Sequence, residues 1–159
     1  MSEASEGQIF ESQTALLTLH KNKLLLYPKE DLQKEKLVEP SQNSWSFNNK
    51  HFKIDIQDWS DESIIEKDEH VALIDYNAIS EQLKLKLWND GDRFQPLGLN
   101  GQHQKVQDFL SNKGINRIAK RRQVILVHGT EIVWIVGLRL DHRFRIQKHT
   151  TKVLSIESI

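Results

Sequence analysis

Six cationic side chains, Lys105, Lys113, Arg117, Lys120, Arg121 and Arg122, fall within eighteen consecutive positions. Arg93 precedes them, and Arg139, Arg143 and Arg145 form a second basic row further on. Residues 88–159 hold 12 Lys+Arg against 6 Asp+Glu, whereas residues 1–87 hold 10 against 16. The net charge of +0 therefore conceals two halves of opposite sign. Lys and Arg at this density can neutralise several phosphates, which makes binding salt-dependent and largely indifferent to base sequence. A folded RNA, read through its shape, phosphates and 2′-hydroxyls, suits such a surface as well as DNA does. The competing reading is a solvated basic face that pairs with the acidic half of the same molecule. Charge alone divides nearly evenly between the two.

Other chemistries find little support. The seven glycines include no Gly-Gly pair, and neither the P-loop nor the dinucleotide fingerprint occurs. The Gly91–Gly101 loop could offer backbone N–H groups to a phosphate at the start of the helix that follows it. A loop whose glycines supply positive φ is the stronger reading. The seven histidines are scattered, and the nearest cluster, Asp141-His142 with His149, reads as ordinary surface. The acidic runs Asp58/Asp61/Glu62 and Asp68/Glu69/His70 read as solvated segments, and no spacing selects a Ser-His-Asp set. With no cysteine, disulfides, thiolate zinc sites and cysteine nucleophiles are excluded, which suits a cytoplasmic setting. The expectation is no catalytic residue, no metal and no cofactor in this chain. Residues Met1–Gly7 lack a leader's basic and apolar regions, and no apolar run approaches the roughly 20 residues of a membrane span.

Several short strands must position the basic residues. Loosely spaced apolar residues from Glu6 to Leu19 predict a short connecting helix ending near Lys21-Asn22, so residues 1–20 read as a linker. Residues 21–159 read as the domain, with an acidic strand-rich part at 21–87 and a basic part at 88–159. Strands are predicted at Leu24–Tyr27, stopped by Pro28, and at Trp45–Phe47 and Phe52–Ile56 around an Asn48-Asn49-Lys50 turn. Residues 29–44 read as polar connection, and Asp58 to Glu69 as acidic loop or short helix. Val71–Ile74 reads as a buried strand and Leu83–Trp88 as a half-exposed one. One helix is predicted at Lys105–Asn112, burying Val106, Phe109 and Leu110. Gln123–His128 and Glu131–Val136 flank Gly129-Thr130 as a hairpin. Strands near Phe144–Ile146 and Lys152–Ile156 complete the pattern, with Arg143 and Arg145 on one side of a strand. The fold class is α+β, rich in antiparallel strands, with a few short helices.

One ordered series of residues goes beyond physics. Trp88-Asn89-Asp90-Gly91-Asp92-Arg93-Phe94-Gln95-Pro96-Leu97-Gly98 resembles the C-terminal domain of bacterial tRNA(Ile)-lysidine synthetases. The likeness continues in register through Lys105–Leu110, Lys113-Gly114-Ile115, Val124–Val127, Glu131–Asp141, Arg143-Phe144 and Thr151–Leu154. It reaches more loosely to Val71–Asp75 and to Gly7-Gln8-Ile9-Phe10-Glu11-Ser12. Gly-Asp-Arg-Phe alone is weak, whereas the whole series is specific.

The resemblance implies a β-sandwich-like core, similar to a domain of the phenylalanyl-tRNA synthetase β subunit. It implies that tRNA(Ile) is gripped at its acceptor stem. The longer enzymes add a PP-loop catalytic domain that joins lysine to cytidine 34 of the anticodon, using ATP and Mg. That domain's Ser-Gly-Gly-x-Asp-Ser loop is absent here, so this chain is expected to be inactive alone. A homodimer formed through the full-length enzyme is compatible with the resemblance. The RNA-binding set expected from charge and resemblance together is Arg93, Lys105, Lys113, Arg117, Lys120, Arg121, Arg122, Arg139, Arg143 and Arg145. Lys120 stands where the family usually has Arg, Asn116 and Val124 replace typical prolines, and Gln104 often reads as a basic residue there. Asp92 is expected to hold its loop closed, with Arg93 as its candidate partner. The alternative function is a protein-interaction or regulatory module that kept the fold without RNA binding.

Overall fold

The computed structural model describes residues 5–60 and 68–159. At the N-terminus, β1 (Ile9–Glu11), β2 (Ala15–His20) and β3 (Lys23–Pro28) form a three-stranded antiparallel sheet. The connecting helix expected over Glu6–Leu19 is therefore corrected to strands. Leu16 to Leu19 and Leu24 to Leu26 mirror one another about Lys21-Asn22, whose φ values of 49° and 60° make the tight turn a hairpin favours. Alternation decides the faces. Leu16, Thr18, Leu25 and Tyr27 lie on one side, while Phe10, Leu24 and Leu26 stand exposed on the other.

Two larger antiparallel sheets follow. β4 (Glu35–Val38), β5 (Ser44–Phe47), β6 (Lys50–Asp58), β7 (Val71–Asp75) and β8 (Leu83–Leu87) come first in the chain. The short ribbon β9 (Arg93–Phe94) with β10 (Gln104–Lys105) comes next, then α1 (Val106–Asn112) and α2 (Arg117–Arg121). β11 (Val124–His128), β12 (Glu131–Ile135), β13 (Arg139–Leu140) and β14 (Lys152–Ser158) complete the series. One sheet runs β13-β12-β11-β8-β4, and the other β5-β6-β14-β7. Their inner faces meet through Trp45, Phe52, Ile74, Leu85, Leu126 and Leu154, the sandwich-like core the resemblance implies.

The five-stranded sheet is apolar on both faces at its centre. Val124 and Leu126 face the sandwich core, while Ile125 and Val127 face a second cluster built by Phe94, Val106, Phe109 and Leu110. Burial on both faces explains why β11 reads as a continuous apolar run. Between Leu126 and Val127 the register shifts, so Val133 has no cross-strand partner and forms a bulge. The bulge carbonyl accepts the backbone N–H of Asp141 at 2.8 Å.

Most other predicted strands appear, with two corrections. β4 lies inside the stretch read as polar connection. It is an edge strand in which only Val38 is fully buried, so its composition matches a loop. Phe144–Ile146 is no strand, because His142–Phe144 forms a 3-10 turn capped by Asp141. The Asn48-Asn49 hairpin turn stands as expected, with φ of 48° and 61°. The acidic connection expected over Asp58–Glu69 falls at 61–67 outside the described residues.

Asp141 is wholly buried. Its carboxylate accepts from Gln95 N at 2.8 Å, Arg143 N at 2.9 Å and Arg143 Nε at 2.9 Å. Asp141→Ala leaves these donors unpaired in a dry site, so unfolding free energy should fall by about 3 kcal/mol. Urea denaturation measures this, and a loss below about 1 kcal/mol contradicts the assignment.

Candidate nucleic-acid interface

Packing on the face of the five-stranded sheet that carries the second cluster orients the first cationic pair. Phe94 is fully buried and meets Phe109 edge-on at 5.2 Å between ring centroids. Strand alternation then turns the neighbouring Arg93 outward. Across the ribbon Lys105 is its register partner, exposed at the N-cap of α1. α1 buries Val106, Phe109 and Leu110, which leaves Asp108, Ser111 and Asn112 on its outer side. Arg93, Lys105 and these three polar residues, with His103 and Gln104, line an open cleft of about 500 Å³. Lys120 donates to Ser111 Oγ at 2.7 Å, so its ammonium stands beside the same cleft.

α2 supplies two more cations. Asn116 caps it, accepting from Ile118 N at 3.1 Å and Ala119 N at 3.0 Å. A proline at this position could offer no such side-chain acceptor. Ile118 is buried, and Arg117 and Arg121, four apart, are exposed on a common face. Among the described residues Arg93, Lys105, Arg117 and Arg121 form no ion pair.

The other members of the expected set have partners within the fold, Arg139 only weak ones. Arg122 donates to Pro28 O at 2.5 Å, stacks 5.4 Å from the Tyr27 ring and lies 3.8 Å from Glu30. It therefore clamps the N-terminal sheet, together with Asn116 Nδ2 to Tyr27 OH at 2.7 Å. Arg143 is held by Asp141 and by Glu131. Its hydrogen bond to Asp141 chiefly raises the guanidinium pKa above its ordinary value, against the opposing effect of burial. Lys113 lies 3.0 Å from Glu69, and Arg139 4.0 Å from the same carboxylate. Arg145 donates to His142 O at 2.6 Å. Because Arg143 sits in the 3-10 turn and Arg145 caps it, the expected single strand face for the two does not exist.

The Gly91–Gly101 loop is held from within. Asp92 does close it, though with Lys86 at 3.3 Å and Asn89 N at 2.8 Å rather than with Arg93. Leu97 N donates to Leu140 O and Gln95 N to Asp141, so these groups do not face a phosphate. Gly91 and Gly98, at φ of 90° and 101°, take a conformation open to glycine at little cost. Sequence reasoning missed His103 and Ser111 at the cleft. Ser111 could have been found as the polar position four after Gln107 on a helix, but His103 carries no local signal.

The family model described as the TilS substrate C-terminal domain matches residues 83–157. Residues 83–157 carry a TilS C-terminal domain. The tRNA(Ile)-lysidine synthase of Parabacteroides distasonis is 41% identical over 92 residues, covering 58% of this chain and 21% of that protein. The Caldanaerobacter subterraneus tRNA(Ile)-lysidine synthase is 37% identical over 106 residues, 67% of this chain and 22% of its own length. That of Clostridium tetani is 30% identical over 128 residues, 80% of this chain and 27% of its own length. The chain thus spans about a fifth to a quarter of these curated relatives. A solved TilS C-terminal domain superposes with a TM-score of 0.59 at 17% identity, covering 69% of this chain and 82% of that one. Antiparallel sheets with two short helices are thereby the TilS C-terminal fold.

The contrast between exposed and engaged cations is measurable without RNA. Arg143→Ala should lower stability by about 2 kcal/mol through the orphaned Asp141 carboxylate, whereas Arg93→Ala should change it by less than about 0.5 kcal/mol. Thermal unfolding of the two variants checks the ordering, and equal losses contradict it.

Proposed function

We propose that this chain is the tRNA-gripping part of a tRNA(Ile)-lysidine synthase. In this reading it holds tRNA(Ile) by the acceptor stem while a catalytic domain elsewhere joins lysine to cytidine 34. ATP and Mg act in that other domain, in the cytoplasm where tRNA is modified. The observation that carries the reading is a set of exposed cations without ion pairs among the described residues: Arg93 and Lys105 at the cleft beside α1, and Arg117 and Arg121 on α2. Exposed guanidinium and ammonium groups meet phosphates at little desolvation cost. Lys120 and the polar groups at His103, Gln104, Ser111 and Asn112 can add contacts to ribose hydroxyls. Lys120 delivers a point charge where an arginine would offer a two-pronged contact. Arg122 and Arg143 serve the fold in this reading, and Lys113 reaches RNA only by giving up Glu69.

Titration of tRNA(Ile) at several salt concentrations tests this. Affinity should fall steeply, with a log–log slope of about −3 or steeper if four phosphates are neutralised. Replacing Lys105 by Gln should reduce the slope by about one, as expected for one phosphate contact. Arg122→Gln should leave the slope unchanged. Absence of binding at low salt, or binding indifferent to salt, sinks the proposal and favours a protein-interaction module.

A further inference from the structure

A second hollow, of about 530 Å³ and sharing no lining residue with the Arg93–Lys105 cleft, lies between β7, the Leu97-Gly98 turn and β13. Its walls are apolar, from Leu73, Leu97, Leu138 and Leu140, over the edge of Trp134. Its rim carries two guanidinium groups, Arg139 and Arg145, and two carboxylates, Asp68 and Glu69. We infer that this hollow receives one unpaired nucleotide of the RNA held at the basic face. The inference rests on the tRNA-binding reading above.

Three features select a nucleotide. First, Arg139 is under-used: its buried Nε has no hydrogen-bond partner among the described residues, its NH1 reaches Leu97 O only at 3.3 Å, and Glu69 lies 4.0 Å away. That carboxylate is held more closely by Lys113, at 3.0 Å. Arg139 can therefore turn to a phosphate without breaking a strong pair, and Arg145 stands beside it as a second donor fork. Second, the apolar walls and volume suit a flat ring, since small-ligand sites run from roughly 300 to 1,000 Å³. Third, the rim has both signs. Asp68 and Glu69 disfavour a fatty acid or an acidic peptide, yet they can accept from a base's exocyclic amine or a ribose hydroxyl. A ligand with an anion at one end and hydrogen-bond donors at the other, as a nucleotide has, matches all of these groups.

Position supports the same ligand. Lys113 follows Asn112 of the cleft, and its ammonium contacts Glu69 on the rim of the hollow. One side chain thus bridges the two sites, so a strand leaving a helical stem at the cleft has a charged path to the hollow. Unpaired bases are the part of an RNA that proteins draw into such pockets.

Two RNA hairpins with the same stem, one blunt and one carrying a short single-stranded 3′ tail, test the inference. The tail should tighten binding roughly tenfold, the increment expected for one base taken into an apolar site. Leu73→Glu should remove the increment and leave blunt-hairpin affinity unchanged. Leu97→Glu, at a loop position, provides the same comparison if the strand variant does not fold. Equal binding of the two hairpins by the unmodified chain overturns the inference while leaving the tRNA-binding reading intact. An increment that survives in the folded variants overturns it too, as does tail-independent binding displaced by an apolar peptide. If neither hairpin binds, the underlying reading fails and the inference fails with it.

Discussion

The buried carboxylate of Asp141 is the constraint on which the site depends. Its backbone N–H meets the Val133 bulge, and its side chain holds Gln95 and Arg143. One residue thereby ties the Gly91–Gly101 loop and the 3-10 turn to the five-stranded sheet. A buried ion is tolerable only when its lone pairs are satisfied, and here Arg143 and two backbone donors supply that. With the Leu97 N–Leu140 O and His142 N–Gln95 O bonds, this tie sets Arg93 on the loop's first strand relative to Arg139 before the turn. The bulge serves the same end, since the extra residue places the Val133 carbonyl where Asp141 can reach it.

The fold divides its cations into two kinds. Some are drawn inward to partners: Arg122 to the N-terminal sheet, Arg143 to Asp141, and Lys113 to Glu69. Others stand out without an ion pair among the described residues, as Arg93, Lys105, Arg117 and Arg121 do. Each exposed ion pair contributes only about 0–1 kcal/mol to stability, so Lys113 can exchange Glu69 for a phosphate at small cost. Arg143 cannot, because leaving Asp141 charged and buried costs several times more. The same residue type therefore serves binding or folding according to what lies behind it.

Part of this was legible in the sequence. Strict alternation in Leu83–Leu87, the turn at Gly129-Thr130 and the apolar stripe of α1 are local patterns, and each stands as expected. The ordered series from Trp88 identified the family where charge alone left two readings open. What escaped is non-local. Nothing near Arg122 announces Tyr27 and Pro28, ninety-odd positions earlier, and nothing beside Glu69 announces Lys113. Arg143-Phe144-Arg145 has the alternation of a strand, but Asp141 accepts from Arg143 N and starts a 3-10 turn instead. The N-terminal leucines fit a helix loosely and a hairpin well. The deciding signal was the Lys21-Asn22 turn at their centre.

The central claim is that fold-engaged and exposed cations have separate roles. Side-chain NMR of the isotopically labelled chain during titration with a blunt acceptor-stem hairpin tests it most directly. The account predicts that shifts gather at Arg93, His103, Lys105, Ser111, Arg117 and Arg121, while the guanidinium signals of Arg122 and Arg143 stay in place. Shifts centred instead on Arg122 and Arg143, or on the outer face of the N-terminal sheet at Leu24 and Leu26, would contradict it.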